Sequence, residues 1–251
     1  MRNQQDNRLH FSDLKQFSLS PAHYRYACEH PKEQTRAMTV GAVFDALVLG
    51  GRKIALYPGK VRNGKEWDAF RIEFAGCDIC IQSEYDEAKD MADAVLSDPV
   101  ARALLTDGEH QRVMQWDWCD VPCGAGIPGK RGGFDVLGAD FIADLKATST
   151  SQPEAWMRHA WRMHYPAQLG FYRTGAESIG HKIKRGFLIG VESSPPHCVT
   201  VLELDAEALD DGEKMCRMWI ERYNGCEAAN VWPGYVQSVV RYEKPEWVND
   251  D

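Results

Sequence analysis

Apolar and polar positions along the chain follow two periods. A two-residue alternation marks residues 131–150, RGGFDVLGADFIADLKATST. There apolar runs at 133–137 and 141–145 flank a Gly138-Ala139-Asp140 turn, which predicts a β-hairpin. Further strands are predicted over 109–119, 186–191 and 198–204, with Pro195-Pro196 turning the last two. Helical periodicity governs most of the rest. Residues 36–49, RAMTVGAVFDALVL, read as a buried helix with one acid, Asp45, inside it. Residues 84–96 form an amphipathic pattern with Ser83 as N-cap and Pro99 beyond its end. Residues 154–174 read as one helix, placing Tyr165, Gln168 and Tyr172 at i, i+3 and i+7 on one face. Residues 205–223 read as a helix capped by Asp205. Ser12 and Ser20-Pro21 predict two short helices near the start. Residues 60–70, KVRNGKEWDAF, read as a surface loop turning at Asn63-Gly64.

Composition adds bounds to this pattern. A chain of 251 residues, 44% hydrophobic and 26% charged, can bury a sizeable core as one domain. The expected organisation is a single unit over 1–251, with a helical segment at about 9–35 and an aromatic tail at about 225–251. That tail carries Trp232, Pro233, Tyr235, Tyr242 and Trp247, expected to pack on the core. No apolar run reaches the ~18 residues of a membrane helix, so the chain reads as soluble and cytoplasmic. The eight cysteines are too dispersed for a disulfide scaffold, and reduced thiols are expected. A zinc site would need Cys77 and Cys80 to meet Cys119 and Cys123 in space. The glycine-rich segment 124–133 lacks the Lys-Ser/Thr ending of a phosphate loop, which argues against nucleotide hydrolysis.

Net charge is −8, against a broadly basic surface that coats nucleic acid. Basic residues still cluster locally, at Arg158, Arg162 and His164, at His181, Lys182, Lys184 and Arg185, and at Lys60, Arg62 and Lys65. Each is a solvated face on ordinary expectation. An acidic exterior with a basic lining would confine nucleic acid to a groove.

The hairpin carries the chemistry. Alternation puts Asp144 and Lys146 on one face and Leu145 on the other, while pairing brings Asp135 beside Asp144. Two carboxylates and an ammonium at one sheet edge suit Mg²⁺ or Mn²⁺, with Lys146 balancing charge on a phosphate. Solvated surface ion pairs would give the same tripeptide. Asp45, in an apolar helix, wants a partner, whether a metal, Arg36 or a cap.

In combination, G-F-D at 133–135, D-L-K at 144–146 and Q-L-G-F-Y at 168–172 resemble the PD-(D/E)XK nuclease superfamily, in its branch with a trailing Q-x-x-x-Y. The entry HFSDLKQFSLSPAHY and the segment around Arg62 to Trp67 are similar to exonuclease VIII (RecE)-like and phage-borne relatives. The resemblance implies an α/β (α+β) restriction-endonuclease-like core, a central mixed sheet flanked by helices. It implies Asp135, Asp144 and Lys146 as catalytic residues, and Asp45, Asp135, Asp144 and the Leu145 carbonyl as metal ligands. Asp45 stands where those relatives carry histidine. Glu109 is implied as a further acid near the metal, and Gln168, Tyr172, Tyr165, Arg158 and Arg162 as groups that support the site or touch DNA. Some superfamily members hold an iron-sulfur cluster, but Cys216 and Cys226 are too sparse to match its C-terminal cysteine group. The implied activity is a Mg²⁺- or Mn²⁺-dependent 5′–3′ exonuclease on linear duplex DNA, in a bacterial or phage-infected cell. A strand-annealing recombination partner and a homo-oligomeric ring are implied with it. Endonuclease or single-strand activity on the same site, or a non-catalytic DNA-binding accessory protein, are the alternatives.

Overall fold

The computed structural model describes residues 6–30, 33–127, 132–236 and 238–243. Arg131, at the head of the hairpin stretch, and Trp247, in the tail, lie outside the described residues. A two-residue strand, β1 (Leu9–His10), leads into α1 (Phe11–Leu14), a 3-10 turn (Lys15–Ser18) and α2 (Pro21–Glu29). Ser20 caps α2 as predicted, accepting from the His23 amide at 3.3 Å. Ser12 does not cap α1, because that helix starts one residue earlier and His10 takes the cap position.

The helix α3 (Arg36–Leu49) has the predicted bounds, with the Thr35 hydroxyl accepting from the Met38 amide at 3.2 Å. Next come β2 (Ile54–Leu56), α4 (Gly64–Glu73), β3 (Asp78–Cys80), α5 (Gln82–Ser97) and α6 (Pro99–Thr106). Three expectations are corrected here. The loop at 60–70 becomes helical from Gly64. Ser83 lies inside α5, whose first turn is held by the Glu84 carboxylate accepting from the Ile81 amide at 3.0 Å. Pro99 opens a further helix, since Asp98 accepts from the Val100 and Ala101 amides and a proline costs nothing at the first helical position.

The remaining elements are β4 (Glu109–Arg112), β5 (Met114–Trp118), β6 (Val121–Ala125), β7 (Phe134–Leu137), β8 (Phe141–Thr148), α7 (Pro153–Arg162), α8 (Tyr165–Ser178), β9 (Arg185–Glu192), β10 (Val199–Leu204) and α9 (Ala206–Ala229). The central sheet runs β10-β9-β8-β7-β4 and is mixed, with β8 and β9 parallel and its other neighbours antiparallel. A three-stranded sheet, β1-β6-β5, stands apart from it. The single strand predicted over 109–119 is therefore two. Gln111 turns left-handed (φ 53°), β4 stays with β7, and β5 leaves to pair with β6.

Helices cover both faces of the central sheet. Val43 and Phe44 of α3 and Met91 and Val95 of α5 pack with Ala143, Leu145, Ile189 and Val191. Trp156, Leu169, Phe171, Leu209 and Ile220, from α7, α8 and α9, pack with Phe134, Ile142 and Leu188. Ile142 and Ala143 thus point to opposite cores, as strand alternation requires. Each fully buried Leu, Phe or Val side chain contributes ~1.5–3 kcal/mol relative to exposure. Close contact of α8 with α9 depends on glycine: a Cβ at Gly212 would stand 2.2 Å from the Pro166 carbonyl oxygen, and one at Gly170 2.4 Å from the Glu213 nitrogen. That contact sets the height of α8 over β8. No helix among the described residues is long and apolar enough to cross a membrane.

Candidate active site

The hairpin pairs Leu137 with Ile142 and Val136 with Ala143, so the next step of the register sets Asp135 opposite Asp144. There the ladder gives way to a side chain. Asp135 Oδ2 accepts the Leu145 amide at 2.9 Å. Within a strand, one residue's N–H and C=O face the same edge, so the Leu145 carbonyl is also directed toward β7. Its side chain meanwhile anchors the opposite core.

Asp144 and Lys146 project to the α7–α8 side. Asp144 is 2% exposed. Its Oδ1 accepts from Gln168 Nε2 at 3.0 Å, and its Oδ2 forms an ion pair with the Lys146 ammonium. Gln168 Nε2 also donates to the Tyr172 hydroxyl at 3.2 Å, and the Tyr172 ring leans on Phe134 at 4.8 Å between centroids. Lys146 Nζ lies 4.8 Å from the centre of the Tyr165 ring, a cation–π contact. Asp45 approaches from α3. Asp45, Asp135, Asp144, Lys146, Gln168 and Tyr172 line one cavity of about 680 Å³, with Tyr165 at its wall.

Three sequence expectations shift at this point. Residues 154–174 are not one helix: the chain breaks at Met163-His164, with His164 left-handed (φ 59°), and α8 restarts at Tyr165. Pro166 explains the break, because it has no N–H to donate backward and its ring would collide with the Arg162 carbonyl. Tyr165, Gln168 and Tyr172 nevertheless share the cavity-facing side of α8. Glu109 is not brought to the cavity. It is a half-exposed group at the start of β4, held by Arg112 at 2.9 and 3.2 Å. Arg158 and Arg162 lie on α7 and line a separate hollow of about 610 Å³, Arg158 facing Glu154 at 3.9 Å. One further cavity residue is Gln111, whose Nε2 lies 3.5 Å from Asp135 Oδ1. The pairing of β4 with β7 brings it there, and nothing in its local sequence announces it.

Cys80 lies in the core beneath α3, Cys123 in the core on the other side of the sheet, and all eight cysteines are free thiols. The two cysteine pairs do not meet.

Charge in the cavity is unbalanced in a specific way. Burial first, then the charges of Asp144 and Asp45, push the Asp135 carboxyl well above the usual range, against the opposing pull of Lys146 and the Leu145 amide. Burial alone would lower the Lys146 ammonium, but Asp144 and Asp135 outweigh it and hold the group above its ordinary value. Burial, then the Asp144 charge, raises Tyr172, so its hydroxyl is a neutral hydrogen-bonding group.

This fold and site can be set beside known proteins. The family described as "PDDEXK-like domain of unknown function (DUF3799)" matches residues 10–243. The chain belongs to this PDDEXK-like family. As a PDDEXK-like domain it shares its fold with a crystal structure from Eubacterium rectale named "Putative exonuclease". The two agree at a TM-score of 0.66 and 14% identity over 95% of this chain and 91% of the other. No curated protein matches the chain.

PDDEXK-like nucleases generally use divalent metals, and the donor set here fits one. Three carboxylates face one cavity, and one of them, Asp135, is pushed above the usual carboxylate range by burial and by the charges of the other two, which a divalent cation would offset. Among the described residues no three His, Cys, Asp or Glu side chains converge tightly enough to cage an ion. The fit is therefore to an ion held by one or two carboxylates with the rest of its shell from water and substrate, as Mg²⁺ is usually held.

Proposed function

We propose that this PDDEXK-like domain is a metal-dependent deoxyribonuclease, and more finely an exonuclease VIII-like enzyme acting 5′–3′ on linear duplex DNA. The observation that carries the reading is the convergence of Asp135, Asp144 and Lys146 at the point where the β7–β8 ladder opens. Asp135, Asp144 and the Leu145 carbonyl would hold Mg²⁺ or Mn²⁺, with Asp45 facing them from α3. When bound, such an ion polarises a phosphoryl oxygen and makes water a better nucleophile at neutral pH. The Leu145 amide and Gln168 fix the two acids, so their oxygens are oriented before substrate arrives. Lys146, kept charged by its neighbours, supplies a fixed positive charge toward the phosphate as negative charge grows on it. Tyr165 and Tyr172 hold Lys146 and Gln168 in place.

DNA, rather than a small phosphodiester, is the proposed substrate on the strength of the motif order G-F-D, D-L-K, Q-L-G-F-Y. The same resemblance supports a recombination role, a strand-annealing partner and a ring assembly in a bacterial or phage-infected cell. The test uses linear duplex DNA labelled at one 5′ end, closed circular DNA, Mg²⁺ or EDTA, and Lys146→Ala. Early release of labelled mononucleotide is expected, abolished by EDTA, absent on circles, and slowed about 10²–10³-fold in the variant. Cutting of circles would move the assignment to an endonuclease. DNA binding without cleavage in Mg²⁺ or Mn²⁺ would leave an accessory protein.

A further inference from the structure

A second cavity, of about 900 Å³, adjoins the first: Asp45, Leu145 and Lys146 line both. It lies between α3, α4 and β3, and it contains the segment around Arg62 and Trp67 that the proposed chemistry leaves unused. Among the described residues its ionised lining is Arg52, Arg62, Arg71 and Lys146 against Asp45 and Asp78. Arg62 and Lys146 are paired with Glu84 and Asp144 behind this lining and Arg52 with Asp78, so the exposed Arg71 and the spare donors of the other arginines are what a polyanion would meet.

The arginines are fixed in different ways. Arg62 is tied to the buried Glu84 and lies over the Trp67 ring, 5.7 Å from its centre. Arg52 Nε stands 3.4 Å from Asp78. Arg71 is exposed, with only a loose 3.7 Å approach to Asp68. A guanidinium has five N–H donors, so one carboxylate leaves capacity for a phosphate. Trp67 is half-buried and braced edge-on by Tyr57, at 5.1 Å and 68°. No residue of α4 is fully buried, and neither Trp67 nor Arg71 belongs to the two main core clusters. A braced indole beside guanidinium groups is a stacking platform for an unpaired base. The volume is in the ~300–1,000 Å³ range of small-ligand pockets, which suits a single nucleotide.

We propose that this cavity seats a nucleotide of the strand being cut, next along from the phosphate at Asp135 and Asp144. Its base lies against Trp67 and its backbone phosphate against Arg71 and Arg52. The proposal rests on the nuclease reading above and adds that the strand enters unpaired.

The test is binding of a fluorescein-labelled single-stranded decanucleotide in EDTA, read by anisotropy, with cleavage of the same strand in Mg²⁺ and in Mn²⁺. Trp67→Ala is expected to weaken binding about tenfold and Trp67→Phe to keep most of it. Arg71→Gln is expected to reduce the slope of log K against log salt by about 0.7. KM for the strand should rise in step, with single-turnover rates at saturation retained. Arg71 lies outside the packed core, so Arg71→Gln decides the matter if Trp67→Ala proves unstable. Wild-type cleavage with KM, affinity and salt slope unchanged in the variants would overturn this proposal and leave the nuclease reading standing. Cleavage of linear duplex DNA but not of the single strand would overturn this proposal alone, and absence of cleavage of either by the wild type with both metals would overturn both.

Discussion

Asp135 is the residue whose physical state distinguishes a metal site from a buried ion pair. Its carboxyl is raised by burial and by the charges of Asp144 and Asp45. The folded protein therefore holds a proton that the unfolded chain releases, from the ordinary carboxylate range up to the raised pKa. In that window stability falls as pH rises, because ionising Asp135 in the fold opposes its neighbours. Metal-free protein is expected to melt at lower temperature as pH rises above the ordinary carboxylate range. Asp135→Asn should flatten that slope and raise the melting temperature at the upper pH. Mg²⁺ should restore wild-type stability there by binding the ionised form. A melting temperature in EDTA that climbs with pH, unaffected by Asp135→Asn, would show that burial at this position is not straining the acid. Asp135 and Asp144 were legible at this scale because side-chain parity and turn position fix the register of a short hairpin. Gln111 was not, since its approach to Asp135 depends on a left-handed residue in β4 and on pairing with β7. Glu109 shows the converse: it starts the predicted strand, yet its side chain pairs with Arg112 away from the cavity.

At the level of elements, α8 is the part that sets the site's geometry, and its seat on α9 can be tested against intrinsic propensity. Gly212 lies inside α9, where alanine is favoured over glycine by about 1 kcal/mol in an exposed helix. A Cβ there would stand 2.2 Å from the Pro166 carbonyl oxygen and 3.0 Å from the Ala167 Cα, both backbone atoms of α8. Gly212→Ala is expected to destabilise by about 1–3 kcal/mol in urea unfolding, the sign opposite to propensity. It should also lower activity, because α8 carries Gln168 onto Asp144. A stabilised variant would mean that the two helices separate at little cost. Periodicity recovered α3 to the residue, since Thr35 and Gly50 punctuate both ends. It ran through the α7–α8 break, because the apolar spacing continues across Met163-His164 and only the Tyr165-Pro166 pair marks it. It also merged β4 with β5, whose separation is a matter of which strand each one pairs with. The helix α6 was hidden by reading Pro99 as a stop when Asp98 makes it a start.

For the whole molecule, an acidic chain carries two cavities that meet at Asp45, Leu145 and Lys146, with Asp135 and Asp144 lining the smaller of the two. Net charge alone argued against extended contact with nucleic acid, and the arrangement places the cationic lining inside instead. The fold follows from the helices on both faces of a mixed sheet, and the same layering separates the Leu145 side chain from the Asp144 and Lys146 side chains by one residue of alternation. The central claim is that this junction hydrolyses phosphodiester bonds. Its most direct test is release of acid-soluble nucleotide from linear DNA in Mg²⁺ by the wild type beside Asp144→Asn, a change that keeps the shape and removes the charge. Release by the wild type with a loss of about a hundredfold or more in the variant is the expected result. Equal release by both, or none by either in Mg²⁺ and Mn²⁺, would contradict the account.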